Sequence, residues 1–419
     1  MLNKLRVNIE HPEVLEGLYN SDKKAFEKAF RSVYSEIENT PFAKFWKARI
    51  DFNNVENKSL FSAHKDLFVL VISCIVAGIL IKIPAIFSLD IEDYFYYQKN
   101  GGIILFFGLS LYTIWTNKKL RPIELILTFS IFILSALYIN YLPFKPDSQS
   151  INITYIHVPL FIWCVYGLVY IEFDIYDLSK RINFIKHNGD LAVLGSILLL
   201  AGMILTGITI GLFSAIDIRI EDFYIEYIGI WGLVSAPIVA SFIIKIYPVL
   251  TNKVAPVIAN IFNPLVLITL IIYLITIPFS GRDLYNDREF LLIFNIMLLS
   301  VMGIIVFSIS ETSVNKKRKY TELMLLALTA VTLIIDFIAL TAIFYRLGEF
   351  GISPNRIAVL GSNLLIFGNL IWILTDLIKI NFKNSDETIV EQTVAIYLPV
   401  YAAWTLVVTF GFPLLFKMN

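Results

Sequence analysis

The chain has 419 residues, of which 57% are hydrophobic and 16% charged, with a mean hydropathy of +0.72. That balance lies outside the range of a soluble globular domain of this length and marks a membrane protein. Its 34 basic and 34 acidic side chains cancel, which removes any general electrostatic case for nucleic acid as a partner. Cys74 and Cys164 both fall in apolar runs, so no disulfide framework or cysteine metal site is expected.

Residues 1–66 are too charged for a signal peptide, so the first apolar run is expected to stay as an anchor. Ser21 is placed to cap a helix whose apolar positions Phe26, Phe30, Val33, Tyr34 and Ile37 share one face. After Pro41, the aromatics Phe42, Phe45 and Trp46 stand among Lys44, Lys47 and Arg49, a mixture suited to the headgroup layer. We therefore expect a short cytoplasmic, amphipathic N-terminal helical region. It would rest on the membrane domain or dock a protein partner through residues 1–60.

From Leu67 to the end the sequence predicts an all-α, polytopic transmembrane helical bundle of about 11 spans, each near the length that crosses roughly 30 Å of hydrocarbon. The expected spans are 67–87, 101–116, 123–142, 155–172, 191–215, 226–246, 255–279, 290–309, 322–344, 356–378 and 395–416. Lys and Arg collect after every second span, for example Lys118, Lys119 and Arg121, then Lys180, Arg181 and Lys186, then Lys316 to Lys319. The positive-inside rule then puts the amino terminus in the cytoplasm and the carboxyl terminus in the periplasm. Trp115, Trp231 and Trp404 sit near span ends and read as interfacial belt residues. Asp177-Leu178 with Ile182-Asn183-Phe184, and Asp376-Leu377 with Ile380-Asn381-Phe382, are similar enough to raise a parallel duplication.

Ionisable groups at bilayer depth cost about 2.5–3.5 kcal/mol on insertion scales and mark candidate sites. Asp336 is the clearest, roughly 13 Å from the outer end of its helix at 1.5 Å per residue. Thr332 shares its face one turn away. Asn363 on the next helix and Asn295 in span eight reach a comparable depth, so the four form a candidate polar site. Asn260 and Asn263 before Pro264, together with Asn369, are candidates for an inner polar layer. In span ten, Ser362, Asn369 and Asp376 recur every seven residues beside Gly361 and Gly368, a stripe that permits close helix packing.

Between spans nine and ten, residues 345–356 read as a shaped outer hairpin. Gly348 and Gly351 supply turn conformations, Ser353-Pro354 starts the next helix, and Glu349 is the expected partner of Arg346 and Arg356. The run Glu349-Phe350-Gly351-Ile352-Ser353-Pro354-Asn355-Arg356 resembles the hairpin of a bacterial multi-pass membrane family catalogued as domain of unknown function 4153. Phe45-Trp46-Lys47-Ala48-Arg49 is similar to the pre-membrane region of its Bacteroidota members. The resemblance implies residence in a bacterial inner membrane and assigns no reaction.

The four histidines lack metal-ligand spacing, and there is no phosphate loop, nucleophile elbow or paired intramembrane carboxylate. No cofactor, metal or catalytic set is expected. Two functions stand close, with a third, an intramembrane enzyme, behind them for want of an acid-base or nucleophile set. One is handling of a small solute or ion at Asp336 beneath the hairpin as a lid. The other is a non-transporting sensor or assembly partner that uses the hairpin and the N-terminal helices.

Overall fold

A backbone crossing hydrocarbon must satisfy its own N–H and C=O groups, and this chain does so with helices throughout. The computed structural model describes all residues except 1, 3, 4, 6, 7, 9, 10, 39, 40, 88–94, 118, 144, 215–217, 280–284, 286, 287, 313–318, 384, 387 and 419. Within helices, the side chains of residues 23, 24, 35, 36, 42, 48, 51–64, 117, 248–260, 288–292, 311, 312 and 319 are also outside the description. Among the described residues there is no strand. The chain divides into two compact units, residues 1–68 and 69–419.

In the first unit, α1 (Pro12–Ser21) and α2 (Lys23–Ile37) precede α3 (Pro41–Ile81), which begins here and ends in the second unit. Asp22, not Ser21, caps α2. Asp22 is extended, with φ −156°, and its carboxylate accepts the Ala25 N–H at 3.0 Å. Ser21 is still the last residue of α1 and donates backward to the Leu18 carbonyl at 2.8 Å. Leu15, Tyr19, Phe26, Phe30 and Trp46 form a buried core. Trp46 therefore belongs to that core and not to a headgroup layer, whereas Phe45 stays exposed. Arg49 closes the core, with its guanidinium 5.1 Å from the Trp46 ring and an ion pair to Glu16 at 2.8 Å.

The second unit continues with α4 (Tyr96–Asn117), α5 (Pro122–Tyr141), α6 (Gln149–Tyr170), α7 (Leu178–Ser214) and α8 (Ile230–Ile246). It ends with α9 (Pro248–Thr276), α10 (Arg288–Thr312), α11 (Lys319–Phe350), α12 (Pro354–Lys383) and α13 (Thr388–Leu406). Nine helical segments among the described residues are long and apolar enough to cross a membrane, which makes the chain a multi-pass membrane protein. The expected spans 67–87 and 101–116 are not among the nine. The helix that carries the second of these, α4, has Gln98, Lys99 and Asn100 in its opening turns, before its apolar run.

Two apolar clusters organise this unit. Leu298, Leu328, Ile335, Ile366 and Leu370 join α10, α11 and α12. Tyr112, Tyr166, Phe184 and Ile238 join α4, α6, α7 and α8. Tryptophans lock two helix pairs at glycines. A Cβ on Gly361 would lie 2.0 Å from the Trp404 ring, and one on Gly78 would lie 2.0 Å from Trp231. Both indoles also donate hydrogen bonds, Trp404 to Ser362 and Trp231 to the Cys74 carbonyl, each at 3.1 Å. These two tryptophans are therefore packing keys between helices.

The suspected duplication does not survive. Asp177 precedes α7 and accepts the N–H groups of Ser179 and Lys180 at 2.9 and 3.2 Å, as a helix N-cap does. Asp376 lies inside α12, near its end. The matched segments thus open one helix and close another.

Candidate polar site in the membrane domain

Asp336, on α11, is 0% exposed, and neither of its carboxylate oxygens has a hydrogen-bond partner among the described residues. Its expected companions are bonded elsewhere. The Asn363 amide donates to the Asn295 carbonyl oxygen at 2.9 Å, tying α12 to α10. Thr332 returns its hydroxyl to the Leu328 carbonyl at 2.7 Å, one turn back on its own helix. Thr329, two turns before Asp336, is buried with its hydroxyl unpartnered. Asn363 and Asn295 meet each other, but the four residues do not form one hydrogen-bonded cluster around Asp336.

Tyr401 was not anticipated. It lies on α13, accepts the Asn369 amide at 3.1 Å, and is within electrostatic reach of Asp336. The available signal was the pair Tyr397 and Tyr401, four residues apart and facing the small-residue stripe of α12. Gly368 makes room for Tyr397 there, since a Cβ would lie 2.9 Å from its hydroxyl. The heptad stripe is this seam between α12 and α13. Ser362 takes Trp404, Asn369 takes Tyr401, and Asp376 accepts Thr393 at 2.6 Å and the Lys379 ammonium at 2.8 Å.

The inner layer is separate. Asn263 is buried and accepts the Ser308 hydroxyl at 3.0 Å, joining α9 to α10. The Asn260 side chain lies outside the described residues. No hydrogen bond links Asn263 to Asn369, so the described groups do not form a continuous polar track.

The hairpin after α11 is shorter than its sequence reads. α11 continues through Tyr345, Arg346, Gly348 and Glu349 to Phe350, leaving three residues before α12 begins at Pro354. Gly351 alone needs a left-handed backbone, with φ +71°, while Gly348 is an ordinary helical residue. Arg356 donates to the carbonyls of Phe350 and Gly351 at 2.7 and 2.6 Å, capping the end of α11. Its guanidinium and that of Arg346 lie 5.4 and 5.5 Å from the Phe350 ring. Arginine to carbonyl and arginine to ring thus replace the expected pairing with Glu349. The physical reason is direction: the last turn of α11 aims its free carbonyls at Arg356.

A second polar constellation lies where α4, α6 and α8 end and α7 begins. A cleft of about 330 Å³ is lined there by Lys119, Tyr170, Glu172, Lys180, Lys186 and Asp190. Glu172 receives both Lys119 and Lys180 at 3.2 Å, and Lys180 also reaches Asp174 at 3.1 Å. Burial pushes the Glu172 carboxyl up, but the two lysine hydrogen bonds outweigh it and hold the group below its usual range. The Lys180 hydrogen bond likewise lowers Asp174. Glu172 and Phe173 adopt φ of 58° and 57°, a left-handed turn that non-glycine residues rarely take. That turn ends α6 and swings Glu172 toward the lysines. Asp190 is 5% exposed, and its Oδ1 has no partner. Sequence reading used these lysines for topology and passed over the cleft.

Among the described residues no group of His, Cys, Asp and Glu is arranged to hold a metal ion. Comparison with family models, curated proteins and solved structures finds no match.

Proposed function

We propose that the chain is a bacterial inner-membrane protein that handles a proton at Asp336, and that it belongs with the family catalogued as domain of unknown function 4153, which its hairpin resembles. The carrying observation is a fully buried carboxyl group whose two oxygens are unpartnered. An ionised carboxylate left alone at this depth costs several kcal/mol, about 2.5–3.5 on insertion scales, so the site calls for a compensating positive charge. A larger cation would need several oxygen ligands. The Asn363 amide is turned to Asn295 and not to Asp336, which favours the proton over a solute.

In this reading the spans number eleven, with 67–87 and 101–116 added to the nine apolar segments. Because those two enter as a pair, the count stays odd and the termini fall on opposite sides either way. The lysine-rich loops support a cytoplasmic amino terminus and a periplasmic carboxyl terminus. The hairpin at 351–353, pinned by Arg356, is a rigid closure on the outer face and not a swinging lid.

The test is proton flux into proteoliposomes holding a pH-sensitive dye after a potassium-diffusion potential is imposed. Wild type should acidify the lumen, and Asp336→Asn, incorporated to the same level, should lose at least about tenfold of the rate. Equal rates would sink the reading. A second reading, a sensor or assembly partner, draws on the separate core of residues 1–68. It expects deletion of residues 1–60 to abolish partner capture while Asp336→Asn leaves it intact.

A further inference from the structure

The cleft beside Lys180 has features that neither packing nor topology explains. It lies where the ends of α4, α6 and α8 meet the start of α7, which is the level of lipid headgroups if these helices span the bilayer. Its volume of about 330 Å³ suits a small polar group. Its charges are divided by position. Lys119 and Lys180 gather on Glu172, and each ammonium keeps further N–H donors free for an anion. Asp190 stands apart. It is 5% exposed, its Oδ1 is unpartnered, and Lys186 acts on it electrostatically without approaching to ion-pair distance among the described residues.

Asp190 lines the cleft, and a buried carboxylate oxygen with no donor calls for a donor from a ligand. A bare cation fits Asp190 but leaves the lysine donors unused. Inorganic phosphate fits the lysines but is repelled by Asp190 and leaves that carboxylate without a donor. A zwitterion satisfies both ends. The aromatic wall is rigid, because Tyr170 stacks on His187 with ring centroids 4.7 Å apart, and His187 Nε2 shares a 2.9 Å hydrogen bond with the Tyr166 hydroxyl. Above the cleft, α7 turns Ile197, Leu200 and Ile204 outward, an apolar track along which acyl chains can lie.

We propose that this cleft binds an aminoalkyl phosphate group, with the phosphate at Lys119 and Lys180 and the ammonium at Asp190. The same chemistry occurs in a phosphatidylethanolamine headgroup and in a free phosphoethanolamine-type ester. The site is separate from Asp336 and does not depend on proton handling.

Titration calorimetry on the full chain in non-ionic detergent tests it, with dihexanoyl-phosphatidylethanolamine and free phosphoethanolamine as probes. Dihexanoyl-phosphatidylglycerol and inorganic phosphate are the comparators. At least one zwitterion should bind at least about tenfold more tightly than its comparator, and Asp190→Asn should remove that preference. Binding by the lipid alone assigns a headgroup source, and equal binding by the free ester assigns a soluble one. Thermal unfolding checks that Asp190→Asn folds. Lys180→Gln, which leaves the floor of the cleft intact, should independently weaken the phosphate end for zwitterion and comparator alike. The proposal is overturned if neither zwitterion binds, or if each comparator binds as well as its zwitterion.

Discussion

Two aspartates are buried on neighbouring helices and held in opposite ways. Asp376 on α12 is 1% exposed, and both of its oxygens are filled, one by Thr393 at 2.6 Å and one by Lys379 at 2.8 Å. Asp336 on α11 is 0% exposed, and both of its oxygens are empty. Burial is the same, so burial does not separate a structural carboxylate from a candidate functional one. Occupancy of the acceptors does. The carboxylate of Asp376 is committed to the seam between α12 and α13, where its charge is matched by an ammonium whose stem reaches the surface. That of Asp336 is left free to take up and release a positive charge.

The largest expected effect tests the committed member. Asp376→Ala leaves the Thr393 hydroxyl and the Lys379 ammonium without their acceptor. Hydrogen bonds to charged groups are worth about 1.5–3 kcal/mol each, and the half-exposed lysine is discounted for screening. A loss of about 2–3 kcal/mol in unfolding free energy is expected, measured by denaturant titration in micelles. Ser362→Ala, which removes the acceptor of the Trp404 indole, should cost about 1 kcal/mol in the same assay. Asp336→Asn exchanges one unpartnered polar group for another of nearly the same shape, so its change should stay under about 1 kcal/mol. If Asp336→Asn destabilises more than Asp376→Ala, the contrast between the two aspartates is wrong, and Asp336 has a partner in the folded protein.

The contrast also shows what could be read from the residues alone. Helical architecture and membrane residence were legible because hydropathy and length decide them directly. That Asn363 and Asn295 stand at one level was legible because rise per residue is fixed. Their pairing was not, because depth says nothing about rotation about the helix axis, and Asn363 turns to Asn295. The outer loop was overestimated because Gly348 reads as a breaker in sequence, while a single glycine inside a helix costs only about 1 kcal/mol and α11 runs through it. The packing of Trp231 and Trp404 was missed because a rule about residue type stood in for the glycines opposite them, Gly78 and Gly361. The cleft was invisible for a different reason. Residues 170–190 are closed into a cleft only by Lys119 and Ile244 from distant helix ends, and nothing local marks Asp190 as lacking a partner.

Glu172 falls between the two aspartates and gives the smallest of these effects. It is partly open to solvent, like neither aspartate, yet its oxygens are occupied by Lys119 and Lys180, like those of Asp376. Its folded value lies below its ordinary value of 4.5, so the folded state binds this proton less readily than the unfolded chain. The stabilisation is therefore complete above pH 4.5 and is lost as pH falls through the folded value. Lys119 is largely exposed, which limits the whole contribution to about 1 kcal/mol or less. Unfolding midpoints between pH 6 and pH 3 should fall for the wild type, with a shallower fall for Glu172→Gln. Parallel curves would mean that the two lysines hold the loop without the carboxylate. Occupied acceptors would then no longer be enough to identify a structural role, and the reading of Asp376 would have to rest on its unfolding energy alone.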